Sequence, residues 1–497
     1  MTASLPSPRV PTVRGAALQR LDTFSLSQGY RTLAAQVFPW LCLLALALSA
    51  WLLLAFPERL LPFLGAVIPG LLIVQAWQKR DDAVLPVLPL YVLVQIVVYV
   101  LPLVFPKVVA DWRVEITPAL LERCTLPLLL WFSALWVGWL AIPRAWAQFR
   151  RGSLFSFVSS GVGRIPHGLL VLTLVLSFLL NQSEFWEVFG DFGRVLISPI
   201  RTASGLASVV GCFLGSYEWS RGSLQSRWLW FGLVAAMLSG GLSSLLLSAV
   251  QAPLLALMLG LWLGRARQAL AITLSLLLIF AFLQQGKYVL RERYWSGSGL
   301  TPPSNPITLA QEWIEASLTP VKSDKKATDR GLFSSRLNNL QNLLYVEQSL
   351  SRGTPTLGGE SLTVIPEVLV PRLFNQDKVR SQQGQVILNL HFGRQRSLKD
   401  TFTAYIAWGL LPEGIGNFGS TAGPLLFGFA TGGLIRCTEN LSRGQRLLTT
   451  PGLLSVVLMV LWLTSFEMVA STFLAAAEQL ILLVLVSSWL LGQRAAA

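Results

Sequence analysis

Apolar runs of roughly 20 residues recur along the chain, as in VFPWLCLLALALSAWLLLAF (37–56) and AVLPVLPLYVLVQIVVYVLPLVF (83–105). A run of that length crosses roughly 30 Å of hydrocarbon as a helix. Twelve spans follow: 37–56, 58–77, 83–106, 123–142, 165–181, 195–216, 229–247, 251–264, 269–284, 417–435, 450–466 and 471–491. The short alternating segments of a strand-built barrel are absent from the pattern. The first run begins after 36 residues and a second follows at once, so it reads as a retained span and not a cleaved leader. The expected fold is an all-α polytopic membrane protein.

Composition sharpens this. Of the 497 residues, 53% are hydrophobic and 13% charged, against about 25% charged in soluble domains. Lys and Arg in the short flanks set orientation. With both termini inside, segments 1–36, 78–82, 143–164, 217–228, 264–268, 436–447 and the tail hold 18 Lys or Arg. The outer loops 57–59, 107–122 and 182–193 hold three, Arg59, Lys107 and Arg113. Segment 285–401 lacks a spanning run and carries 15 basic and 10 acidic residues. Long loops translocate regardless of charge, so it is placed outside. Within it RLNNLQNLLYVEQSL (336–350) has amphipathic-helix spacing, and SLTVIPEVLVPRLF (361–374) reads as packed irregular structure. TPPSNP (301–306) and VKSDKKATDR (321–330) read as connectors. The chain divides into an inner segment (1–36), nine helices (37–284), a large folded extracytoplasmic loop (285–401), and an interface segment with three helices (402–497).

Chemistry concentrates in and after that loop. Arg372, Lys378, Arg380, Arg394, Arg396 and Lys399 fall within 28 residues. Arginine forks bind phosphate bidentately and lysine adds a point charge, which suits a diphosphate or lipid-phosphate site. A solvated loop drawn to anionic headgroups has the same composition. His391 is the loop's one group titrating near neutrality, a proton carrier or phosphate ligand, or else a structural histidine. Arg201 follows Arg194 at the outer end of the sixth span, where it binds a ligand or snorkels. Glu478 lies deeper, in the last span. Glu413 and Asn417, in PEGIGNFGSTAG (412–423), precede the tenth span. Asn417 has the chemistry of an N-cap and Glu413 suits the positive end of a helix. Glycines 419, 423, 428 and 432 are spaced for close helix packing. Neither reading accounts for an acid and an amide directly after a basic loop. Cys42, Cys124, Cys212 and Cys437 lack ligand spacing, and with two histidines in all (His167, His391) no metal or other cofactor is expected. Walker, G-x-S-x-G and D-x-D signatures are absent, and no nucleic-acid partner is expected. Asp81 and Asp82 read as charge balance.

The order of a long outer loop ending in P-R-x5-K, a basic stretch, and E-x-x-x-N-F-G opening a span resembles bacterial oligosaccharide repeat-unit polymerases, the Wzy-type O-antigen polymerases. Pro371, Arg372 and Lys378 match the family's P-R-x-L-W-P-x-K-P, with Asn375, Gln376 and Val379 in place of Trp, Pro and Pro. Glu413, Asn417, Phe418 and Gly419 match G-E-x-Y-x-N-F-G, with Pro412 and Ile415 in place of Gly and Tyr.

The resemblance implies a GT-C-like membrane glycosyltransferase at the outer face of the bacterial cytoplasmic membrane. It would move a glycan from polyprenyl diphosphate onto another lipid-linked repeat unit. Its partners would be that lipid-linked oligosaccharide, the bilayer, and chain-length regulator or export-machinery proteins. Arg372, Lys378, Arg380 and Arg201 would steady the leaving diphosphate, with Arg394, Arg396 and Asn417 binding substrate. Glu413, then His391, would receive the acceptor's proton. A glycan ligase uses the same donor; a flippase of lipid-linked sugars and a non-catalytic scaffold are the alternatives from other classes.

Overall fold

The computed structural model describes residues 23–80, 82, 84–105, 108, 113–144, 146, 155–156, 164–180, 182, 186, 190–243, 245, 247–264, 268–295, 303, 305–318, 338–371, 374–375, 378–403, 406–445, 449–491 and 493–494. Helices dominate: α1 (Thr23–Ala55), α2 (Leu60–Gln78), α3 (Val87–Val104), α4 (Pro118–Arg123), α5 (Thr125–Ala141), α6 (Ile165–Leu180), α7 (Gly190–Ser220), α8 (Arg227–Ser243), α9 (Ser248–Leu263) and α10 (Ala269–Trp295). They are followed by α11 (Pro306–Leu318), α12 (Leu340–Ser351), α13 (Ile365–Leu369), α14 (Gln383–His391), α15 (Asp400–Thr403), α16 (Leu410–Ser442), α17 (Thr450–Thr464) and α18 (Ala470–Leu491). Among the described residues the strands amount to one antiparallel pair, Phe155–Ser156 with Gln493–Arg494. Each of the twelve apolar segments falls on a helix. Among the described residues seven helices are long and apolar enough to cross a membrane, and four apolar ones are shorter. Their outer faces carry exposed Trp40, Leu54, Leu278 and Trp489. Apolar surface of that kind on long helices is the mark of an all-α membrane protein.

Backbone polarity explains the tolerated irregularities. Pro39, Pro69, Pro102 and Pro199 lie inside apolar helices, and the carbonyl that Pro102 frees, Val98 O, accepts from Asn339 N at 3.0 Å. Carbonyls at the end of α3 have a dedicated donor. Arg59 Nη1 reaches Leu103 O at 3.2 Å and Phe105 O at 2.5 Å, with its guanidinium 3.9 Å over Phe56. The closest helix pair is α5 with α16. A side chain at Gly138 would strike Phe429 O, and one at Gly432 would strike Leu135 O, so the glycines let two backbones touch.

Segments assigned to one side of the membrane gather at one end of the bundle. Asp82 ion-pairs Arg443 at 2.8 Å, Arg436 at 3.3 Å and Arg144 at 3.7 Å, and its carbonyl accepts from Arg31. The charge balance expected of Asp82 is therefore met, by arginines from three other elements; Asp81 lies outside the described residues. Loop contacts gather at the opposite end, where Gln348 Nε2 donates to Glu115 O (3.3 Å) and Arg113 to Gly393 O.

The long loop holds more helix than its sequence pattern shows. α10 runs on to Trp295, and α11 packs back on it through Trp313 Nε1 to Leu283 O at 2.8 Å. The amphipathic segment forms α12, and 361–374 folds as a 3-10 turn (Glu360–Leu362) and α13, as packed irregular structure. The connector 321–330 lies outside the described residues.

Candidate functional site

Glycine 419 sets the local architecture. Its φ of +81° breaks α16 into a short segment, 410–418, and a long one from residue 420, and this left-handed conformation favours glycine. The break leaves carbonyls 416 and 417 without helical donors. Leu357 N and Gly358 N supply them, each at 2.9 Å. The loop strand 355–358 is thus fastened to the end of the short segment.

Glu413 stands in the first turn of that segment, 0% exposed. Oε1 accepts from Ser361 Oγ at 2.9 Å, and Oε2 accepts from Ala470 N at 2.6 Å. It therefore caps a helix, as the sequence suggests, but the helix is α18, not the tenth span. Asn417 is not an N-cap either, because the helix already starts at Leu410. Its Nδ2 donates to Ser361 Oγ and to Glu413 O, both at 2.8 Å, while its buried Oδ1 has no partner. Glu413, Ser361 and Asn417 form one buried hydrogen-bonded set, with no cation at ion-pair distance among the described residues.

The basic segment lies one contact further out. Ser381 O accepts from Ser471 Oγ at 3.1 Å and Thr472 Oγ1 at 3.0 Å, just past Ala470. Arg380 sits 3.9 Å over Phe402 and donates weakly to Thr401 Oγ1 at 3.3 Å, with Nη1 unpartnered. Lys378 acts electrostatically on Glu478 of α18. Arg396 and Lys399 are exposed. Arg372 lies outside the described residues. Arg201 is exposed on α7, beside Thr202, whose hydroxyl donates to Gln479 Oε1 of α18 at 3.0 Å.

Arg394 differs from its neighbours. It is 5% exposed, lies 4.8 Å over Tyr345 and donates to Asn342 Oδ1 at 2.8 Å and Ala407 O at 3.2 Å. That guanidinium braces the loop from inside. His391 is half-buried at the end of α14. Its Nε2–H donates to Pro355 O at 2.8 Å, and since a carbonyl only accepts, Nδ1 carries the lone pair. The strand it holds is the one fastened to Gly416 and Asn417.

Sequence reasoning missed Ser361, Glu347 and the amides Asn339, Asn342 and Asn389. Asn339 Nδ2 donates to Tyr99 OH and Phe466 O, both at 2.9 Å, and Trp408 Nε1 donates to Asn389 Oδ1 at 2.7 Å. The asparagines at 338, 339 and 342 on the otherwise apolar face of RLNNLQNLL were the available signal. Glu347 is buried, accepts from Ser420 Oγ at 2.9 Å and leaves Oε1 unpartnered. Burial raises its carboxyl above the ordinary range, with the Ser420 hydrogen bond and Arg123 in partial opposition. No family model, curated protein or solved structure matches this chain.

Proposed function

We propose that this chain is a membrane glycosyltransferase that polymerises polyprenyl-diphosphate-linked oligosaccharide repeat units at the outer face of the bacterial cytoplasmic membrane. One observation carries the reading: a folded, basic loop is fastened to the membrane end of α16 and α18 through Glu413, Ser361 and Asn417. Phosphate-binding side chains are thereby held where a lipid-linked diphosphate would meet water.

In the reaction, the acceptor hydroxyl oxygen attacks the donor's anomeric carbon. The bond from that carbon to the diphosphate oxygen breaks, and its electron pair leaves on the diphosphate. Lys378, Arg380 and Arg396, with Arg372 from the same stretch, steady the departing charge. The acceptor's proton needs a base with a free lone pair near the surface. His391 Nδ1 meets that requirement, whereas both oxygens of Glu413 are engaged. Glu413 is read here as the positioning residue that joins loop to helix.

The test is reconstitution. Purified full-length chain receives lipid-linked repeat units without added nucleotide or metal, and products are sized on a gel. A ladder is the expected result; a single addition to a second lipid would instead make the protein a ligase. No product from intact protein would overturn both. Arg372→Ala and His391→Ala are expected to abolish the ladder while leaving expression and elution unchanged.

A further inference from the structure

At the loop end, between α4 and α12, lies a partly open cavity of about 240 Å³. Glu115, Thr117 and Arg123 line it from one side, and Gln348, Ser351 and Arg352 from the other. Much of its polar lining is already spent. Thr117 Oγ1 accepts from Leu120 N (3.2 Å), Ser351 Oγ donates to Gln348 O (2.7 Å), and Gln348 Nε2 donates to Glu115 O (3.3 Å). The two guanidiniums are not spent. Among the described residues neither has a carboxylate at ion-pair distance, and Glu347, which feels Arg123 electrostatically, is bound to Ser420.

Arg123 ends α4 and Arg352 caps the end of α12. Cations are favoured at helix C-termini, and that would explain either one alone. It does not explain why helices from two distant parts of the chain present their guanidiniums to one cavity, with Glu115 beside them and not bridging them. Two five-donor forks and one acceptor acid are the set that recognises an anionic group on a hydroxyl-rich ligand.

We propose that the Arg123–Arg352 cavity binds an anionic oxygen group, a sugar carboxylate or a phosphate, with Glu115 accepting from an adjoining ligand hydroxyl. The site shares none of its lining residues with the basic loop stretch or with Glu413. It adds recognition of acidic ligands at the loop end and does not depend on the polymerase reading.

Calorimetric titration of the purified full-length protein in detergent tests this with three probes: a glucuronic-acid-terminated disaccharide, its neutral glucose-terminated counterpart, and glycerol 1-phosphate. Saturable binding of an anion is expected, at least about tenfold tighter than the neutral sugar. Arg123→Gln and Arg352→Gln should each weaken it about tenfold or more, as when a charge-assisted hydrogen bond is lost, with melting and elution unchanged. A preference for the glucuronate identifies a sugar acid as the ligand, and a preference for glycerol 1-phosphate a lipid headgroup; both support the site. The proposal is overturned by no saturable binding of either anion, by equal binding of the neutral sugar, or by wild-type affinity in both variants. Since binding is read without turnover, its failure and that of polymerisation are distinguishable.

Discussion

Helix α16 buries a glutamate near each of its ends, and the two are held in opposite ways. Glu439 accepts from Leu88 N at 2.9 Å and Trp139 Nε1 at 2.8 Å, with Arg436 at 3.7 Å. Arg436, 1% exposed and 4.3 Å over Trp139, turns in the other direction to Asp82. Among the described residues, both acids at that end have an arginine at ion-pair distance. Glu413 has a hydroxyl and an amide, with no cation at ion-pair distance among the described residues. Desolvating an acid without a counter-charge costs free energy. The acid at one end of α16 is thus held by arginine, and the acid at the other by neutral donors.

Asp82→Ala gives the largest effect expected of this contrast. It takes the nearer carboxylate from buried Arg436, leaving the pair with Glu439 at 3.7 Å, and should cost about 3 kcal/mol, the low end for breaking a buried pair, read as a steep fall in melting temperature in detergent. Glu413→Gln is milder. One accepting oxygen becomes an amide donor, so about 1–3 kcal/mol is expected, together with loss of the product ladder. If Glu413→Gln destabilises as much as Asp82→Ala, the contrast between the two ends is broken.

A smaller effect comes from Glu347. Burial raises its carboxyl in the folded chain, so the folded state keeps the proton to higher pH than the unfolded one. Stability at this group is full below the ordinary carboxylate range of about 4.3 and is lost as pH rises through the raised value. Melting curves between pH 5 and pH 8 should therefore fall more for wild type than for Glu347→Gln; parallel curves would remove the effect. Smallest of all, Lys399→Gln should leave melting unchanged, because its exposed side chain has no ion-pair partner among the described residues.

The apolar helices were legible because hydrocarbon demands long apolar runs. The gathering of Asp82, Arg144 and Arg443 at one end followed from the same asymmetry of Lys and Arg. Other features were not legible, for physical reasons. Arg394 reads as one more cation of a basic loop, and only packing against Tyr345 and Trp408 makes it internal. Ser361 has no local pattern, since its role arises from a hydroxyl placed between residues more than 50 positions away. Asn417 reads as a cap because the run of apolar residues starts after it, yet the helix begins seven residues earlier and breaks at Gly419. α11 escaped notice because its buried Leu309, Trp313 and Ala316 need α10 as a partner.

Glu413 closes on an amide 57 residues further along the chain, and this has a consequence for biogenesis. During synthesis the loop and both segments of α16 leave the ribosome before α18 exists. Until residue 470 is in place, Oε2 of Glu413 has no donor, and Ser381 lacks the hydroxyls of Ser471 and Thr472. α18 is therefore the keystone of the loop end. A chain cut short after α17 would keep the Asp82 lock and have no finished surface opposite it, so the charged end stays unassembled until α18 has been made.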